Sequence, residues 1–136
     1  MLLYAWLAAA TALPAALDPL SPSQRAVRRS EEATYVHVLQ AVRNTPGLVY
    51  AEDVSLLMAA NREVAAEAFP VTVLALDGTW DETPFVEMIR QHRFAALVLG
   101  NLYAPDRFTP RVRAAILDAY APHEIIGSHY TFYRPR

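Results

Sequence analysis

Residues 94–99, FAALVL, limit the fold more than any other stretch, because the run is apolar from end to end. A strand with one face in water alternates apolar and polar side chains, whereas an unbroken run has to be covered on both faces. The flanking sequence supplies the cover. Before the run, Thr83 and Pro84 open a helix with Phe85, Met88, Ile89 and His92 on one face. After it, Thr109 and Pro110 open another, with Val112, Ala115, Ile116, Ala119 and Tyr120 on one side.

The same alternation runs through the rest of the chain. Ser21, Pro22 and Gln24 form a capping signature that predicts a helix from about Pro22 to Asn44, packed through Tyr35, Val38, Leu39 and Val42. GLVYAED reads as a first buried strand, and VSLLMAANRE as a helix with Val54, Leu57 and Met58 inward. Between residues 63 and 78 two readings stay open: a strand at Val71–Val73, or a strand at Val64–Glu67 with Pro70 opening a helical turn. HEIIGSHYTFYRPR predicts a β-hairpin about Gly127 at a sheet edge. The fold class expected is α/β: a small Rossmann-like mixed, mainly parallel sheet flanked by helices, with a C-terminal β-hairpin and a hydrophobic N-terminal helix ahead of it.

That leading helix is MLLYAWLAAATALPAALDPL, uncharged from Leu2 to Leu17. It carries much of the apolar excess of a chain that is 54% apolar and 19% charged. As a helix it would reach about 24 Å against a hydrocarbon core of roughly 30 Å, and Pro14 would kink it. The preferred reading is a partial transmembrane helix, the end of a last span, over residues 1–20. A signal peptide ending near Ala16 is second, without the usual basic start. A buried helix of the fold is third, and would need partners for Tyr4 and Trp6. Residues 21–136 then form one soluble α/β domain, as a chain of 136 residues allows. Arg25, Arg28 and Arg29 follow the run and favour a cytoplasmic domain by the positive-inside rule.

Net charge is −2, which supplies no footprint for nucleic acid. All 12 basic residues are Arg, a bias that base composition explains together with the abundance of Ala. The absence of cysteine excludes disulfides, thiol catalysis and Cys-ligated zinc.

In such sheets ligands bind beyond the carboxyl ends of the strands. Glu52, Asp53, Asp77, Asp81, Gly100 and Asn101 fall there, where carboxylates and amides suit a cation or sugar hydroxyls. Helix capping and turn formation explain Asp53 and Asp77 equally well. No metal-loop spacing is present and no metal is expected. The turn AEDVS has no glycine to admit a pyrophosphate and two acids to repel it, so no nucleotide cofactor is expected either. Ser128 and His129 lack a nucleophile turn and a placed acid, and His92 reads as a packed imidazole. Trp80 suits a sugar platform or a core lid, and Tyr130, Phe132 and Tyr133 suit sugar stacking, a membrane interface or sheet packing.

Taken in order, AEDVSLLMAANREV, GTWDETPFVEMIRQHRFAALVLGN and YAPHEIIGSHYTFYRPR resemble the C-terminal soluble region of bacterial GT-C-type membrane glycosyltransferases. These are relatives of protein O-mannosyltransferases and the lipid A aminoarabinose transferase. The resemblance covers about residues 20–136. It implies a parent enzyme moving a sugar from a polyprenyl-phosphate carrier, with its catalytic acid in an early exported loop, so no residue of this chain inherits a catalytic role. It further implies membrane lipid and the upstream transmembrane region as partners, and an extracytoplasmic domain at the bacterial cell membrane, against the arginine signal. It favours the Val64–Glu67 strand. Glu52, Asp53, Trp80, Asp81 and Asn101 are the residues placed to touch substrate. A stand-alone exported or membrane-tethered module binding a small sugar or anion is the alternative.

Overall fold

The computed structural model describes residues 21–136, and the hydrophobic leading helix expected over residues 1–20 lies outside the described residues. Ser21 caps the first helix, α1 (Pro22–Asn44). The capping box is made: Ser21 N–H donates to Gln24 Oε1 at 2.7 Å, and Gln24 N–H donates to Ser21 Oγ at 3.3 Å. Among the described residues no helix is long and apolar enough to cross a membrane. The chain divides after Glu32 into two units, and the sheet with everything described on it belongs to the second.

That unit is mixed α/β. After α1 come β1 (Leu48–Ala51), α2 (Val54–Ala59), α3 (Ala68–Leu76), α4 (Thr83–Arg90), β2 (Phe94–Leu99), α5 (Pro110–Ala119), β3 (Tyr120–Ile126) and β4 (Tyr130–Pro135). The four strands form one sheet in the order β1-β2-β4-β3.

The expectation of a mainly parallel sheet is corrected. Only β1 and β2 pair in parallel; β2 with β4 and β3 with β4 are antiparallel. The strand directions explain the error. β3 runs the same way as β1 and β2, as a strand–helix–strand crossover through α5 requires, but it lands one position too far from β2. The hairpin then folds β4 back into the gap. Alternation of strands and helices predicts direction; it does not predict that a hairpin arm fills the space between two parallel strands.

Both faces are covered, as the FAALVL run demands. Val49, Ala51, Ala96, Val98 and Phe132 pack with Val38 and Val42 of α1 and Leu56 and Leu57 of α2. Tyr50, Leu97 and Leu99 pack with Ala68, Phe85, Val86, Ile89, Val112, Ala115 and Ile116. The pairing skips Ala95: Leu48 lies opposite Phe94, and Val49 opposite Ala96. Through that irregularity Phe94 joins the Leu97 and Leu99 cluster.

Three local expectations change. Val64–Glu67 is not a strand, and neither is Val71–Val73, which lies within α3 (Ala68–Leu76). Met58 is 70% exposed while Leu56 and Leu57 are buried, because a helix of little more than one turn has too short a face for 3.6-residue spacing to select. Thr83 starts α4 without capping it: Asp81 Oδ1 accepts from Thr83 N–H at 2.9 Å, and Glu82 turns away to accept from Thr109 Oγ1 at 2.5 Å. Thr109 itself caps α5 as expected, accepting from Val112 N–H at 3.1 Å.

Candidate functional site

The core assignments send the chain to opposite faces at one end of the sheet. From β1 it continues into α2 on the α1 side; from β2 it continues through a loop to α5 on the other. Diverging loops leave a crevice at the carboxyl ends of two neighbouring parallel strands. Because β4 runs the other way, its first residue and the hairpin loop reach the same end. The result is an open cleft of about 350 Å³ lined by Glu52, Asp53, Val54, Glu67, Gly100, Arg107, His129 and Tyr130.

Glu52 ties the two strand ends together. Its Oε2 accepts from Gly100 N–H at 2.8 Å and from Asn101 N–H at 3.1 Å. Gly100 permits the approach, since a Cβ there would stand 3.2 Å from the His129 carbonyl oxygen and 3.4 Å from Glu52 Oε2. A charge-assisted bond to two amides across the crevice contributes to the fold directly. Glu52→Gln keeps one acceptor and loses the charge, so thermal unfolding should show a loss of about 1–2 kcal/mol. Asp53→Asn, at a position where both residues cap well, should cost only a few tenths. Equal losses in the two variants would contradict this account of Glu52.

Asp53 divides its carboxylate. Oδ1 accepts from Ser55 N–H at 3.0 Å and caps α2; Oδ2 accepts from the Tyr130 hydroxyl at 3.4 Å. Partial burial raises the Tyr130 pKa, and the Asp53 charge and hydrogen bond raise it further. Arg107 is held loosely. Its Nε is 3.9 Å from Glu52 Oε1 and 3.8 Å from Asp106 Oδ2, both beyond hydrogen-bonding distance, and its guanidinium lies 5.7 Å over the Phe69 ring. Tyr50 lies within electrostatic reach of Glu52 and Arg107, 1% exposed, with a hydroxyl that has no hydrogen-bond partner among the described residues. Burial, and then the Glu52 charge, push its pKa well above the ordinary tyrosine value.

Of the residues picked from sequence, Glu52 and Asp53 line the cleft. Asn101 adjoins it through its amide, while its Oδ1 accepts from Tyr103 N–H at 3.0 Å in a local turn. Trp80 and Asp81 do not line it. Trp80 packs on Phe85 with ring centres 6.4 Å apart. Asp81 serves the start of α4, and its hydrogen bonds from the Thr83 side chain and backbone hold its pKa below the ordinary value. Sequence reasoning overlooked Glu67, Arg107, His129 and Tyr130 as partners of Glu52. For His129 and Tyr130 strand order was the missing information, since only a β4 placed next to β2 brings them to the ends of β1 and β2; Glu67 and Arg107 arrive from the segments before α3 and α5.

Chemically, the cleft offers carboxylate oxygens, a loosely held guanidinium, an imidazole and a phenol. Glu52, Asp53 and Glu67 outnumber Arg107, so the lining repels anions and suits hydroxyls or an amine. Among the described residues no group of three or more His, Asp or Glu is arranged to hold a metal ion. Comparison of the chain with family models, with curated proteins and with solved structures returned no match.

Proposed function

We propose that this chain is the C-terminal accessory domain of an integral-membrane glycosyltransferase of the GT-C type, and that its cleft holds the sugar portion of a ligand while bond-making takes place upstream. In this reading residues 1–20 are the end of a last transmembrane helix, the α/β domain stands outside the cytoplasm at the bacterial cell membrane, and the donor is a polyprenyl-phosphate sugar. The β1–α2–α3–α4–β2 half is its Rossmann-like part. The supporting observation is the convergence of Glu52, Asp53, Glu67, Arg107, His129 and Tyr130 in one open cleft. Its volume falls in the range of roughly 300–1,000 Å³ found for small-molecule sites. Its excess of carboxylates points to the sugar hydroxyls or an amino group of such a ligand, with the phosphate lying outside.

Titration of the detergent-solubilised chain, followed by amide NMR, tests the site. A neutral hexose and an amino sugar should move the Gly100 and Asn101 amide signals and the Tyr130 ring, with the amino sugar binding more tightly, and inorganic phosphate should leave them in place. Phosphate binding in the cleft, or no response to either sugar, defeats the reading.

The second reading is a stand-alone exported module with residues 1 to about 17 as a signal peptide. It is favoured by one observation: among the described residues, every one that lines the cleft belongs to the unit that begins at Ala33. N-terminal sequencing of the mature product separates the two, because a start near Leu17 requires cleavage and a retained leading run requires an anchor.

A further inference from the structure

Among the described helices of eight or more residues, α3 alone carries no charged side chain. Its sequence is AFPVTVLAL, and its one polar side chain, Thr72, is 3% exposed and donates its hydroxyl to the Arg107 carbonyl oxygen at 2.8 Å. Ala68 and Thr72 are its buried residues. Phe69, Val73, Leu74 and Leu76 are 48%, 46%, 45% and 63% exposed. With Pro70 they occupy an outward arc of about 160° at 3.6 residues per turn. A surface helix normally turns charges outward; this one turns out phenylalanine, valine and leucine.

We propose that α3 lies on the lipid bilayer, its exposed face entering the boundary between headgroups and acyl chains. The inference rests on the membrane tether in the reading above and adds a second contact to it. Two features favour lipid as the occupant. In that reading the uncharged Leu2–Leu17 run keeps the domain joined to it close to a bilayer, and two weak apolar contacts in one chain reinforce each other. The outer face is also a convex apolar helix surface whose own turns supply none of the polar rim that protein partners use. The charges at its ends define the membrane it suits. Glu67 precedes the helix and Asp77 follows it, with Arg107 beside Phe69, so anionic headgroups are not attracted and a zwitterionic surface serves at least as well.

The absence of cysteine makes the test direct. Val73→Cys, Leu76→Cys and Met58→Cys are each made in the full chain, given a nitroxide label and studied with phosphatidylcholine vesicles. Labels at 73 and 76 should become several-fold more accessible to oxygen and less accessible to a water-soluble nickel chelate, while the label at 58, which is 70% exposed away from α3, keeps its aqueous values. Failure of the chain to float with vesicles defeats the tether itself. Flotation with 73 and 76 as water-exposed as 58 defeats only the α3 contact. Shielding of 73 and 76 without lipid also overturns it: if it rises with protein concentration a second copy is the occupant, and if not, the chain's own leading run is. Shielding that requires phosphatidylglycerol and disappears with salt contradicts insertion by an uncharged face.

Discussion

Gly127→Ala is expected to destabilise the domain by about 2–4 kcal/mol in chemical denaturation, the sum of two independent costs. Gly127 opens the loop between β3 and β4 with φ of +62°, a left-handed conformation that an alanine adopts at a cost of about 1 kcal/mol or more. A Cβ at this position would also lie 2.5 Å from Thr34 Cγ2 and 2.8 Å from Thr34 Oγ1, because the loop comes close against α1. Thr34 sits one helical turn before Val38, which is fully buried, so α1 cannot retreat without opening the core on that face. The two costs separate in a double-mutant cycle. Thr34→Ala removes the two closest atoms and leaves a contact of 3.3 Å with Thr34 Cβ, and alone it should be nearly neutral in a helix. In that background Gly127→Ala should cost only about 1 kcal/mol, the backbone part. An unchanged cost would mean that the loop moves away freely and that the packing of α1 on the hairpin is not tight.

This contact illustrates which parts of the fold can be read from the chain and which cannot. Interactions closed within one turn are written locally. The Ser21 and Gln24 box and the Thr109 cap with Pro110 are recognisable as residue types at fixed spacing, and both are present. The two-sided cover of FAALVL is legible for the same reason, since the absence of alternation states how many faces are dry. What depends on partners distant in sequence is not legible. Gly127 shows a turn, not a close approach to Thr34. Val71–Val73 has the β-branched composition of a strand and becomes helical because Ala68 and Thr72 find a place in the α3–α5 layer. Glu52 looks like one acid of a pair, and its bonds to Gly100 and Asn101 appear only once β1 and β2 are neighbours. The cleft follows the same rule: Glu52, Asp53, Val54 and Gly100 follow strand ends visible in sequence, whereas His129 and Tyr130 from the hairpin, and Glu67 and Arg107 from the segments before α3 and α5, arrive by positions that are tertiary facts.

Stability should fall steeply above pH 10, and Tyr50 should account for the largest share. The chain has no Lys and no Cys, so between the neutral range and the arginine range its side chains titrate through tyrosine alone. Tyr50, Tyr120, Tyr130 and Tyr133 all have pKa values raised by burial, from an ordinary value of 10.0. A raised acid is protonated in the folded chain after the unfolded chain has released its proton. Its contribution is therefore complete below pH 10 and is lost as pH climbs from 10 toward the folded value, at about 1.4 kcal/mol per pH unit for each tyrosine held neutral. Tyr50 combines deep burial, the Glu52 charge and a hydroxyl without a partner among the described residues, which also costs stability at neutral pH. Tyr50→Phe should accordingly stabilise the domain by about 1 kcal/mol at pH 7, and its advantage should grow by about 1.4 kcal/mol at pH 11. Tyr120 is the contrast. It is equally buried, but its hydroxyl donates to the Phe94 carbonyl oxygen at 2.9 Å, so Tyr120→Phe should lose about 1 kcal/mol at pH 7. Denaturant unfolding of both variants at the two pH values gives opposite signs at pH 7 if the hydroxyl environments are as described. A Tyr50→Phe variant that is weaker at pH 7, or whose advantage does not grow with pH, would place a hydrogen-bond partner at Tyr50 and remove it as the source of the alkaline transition.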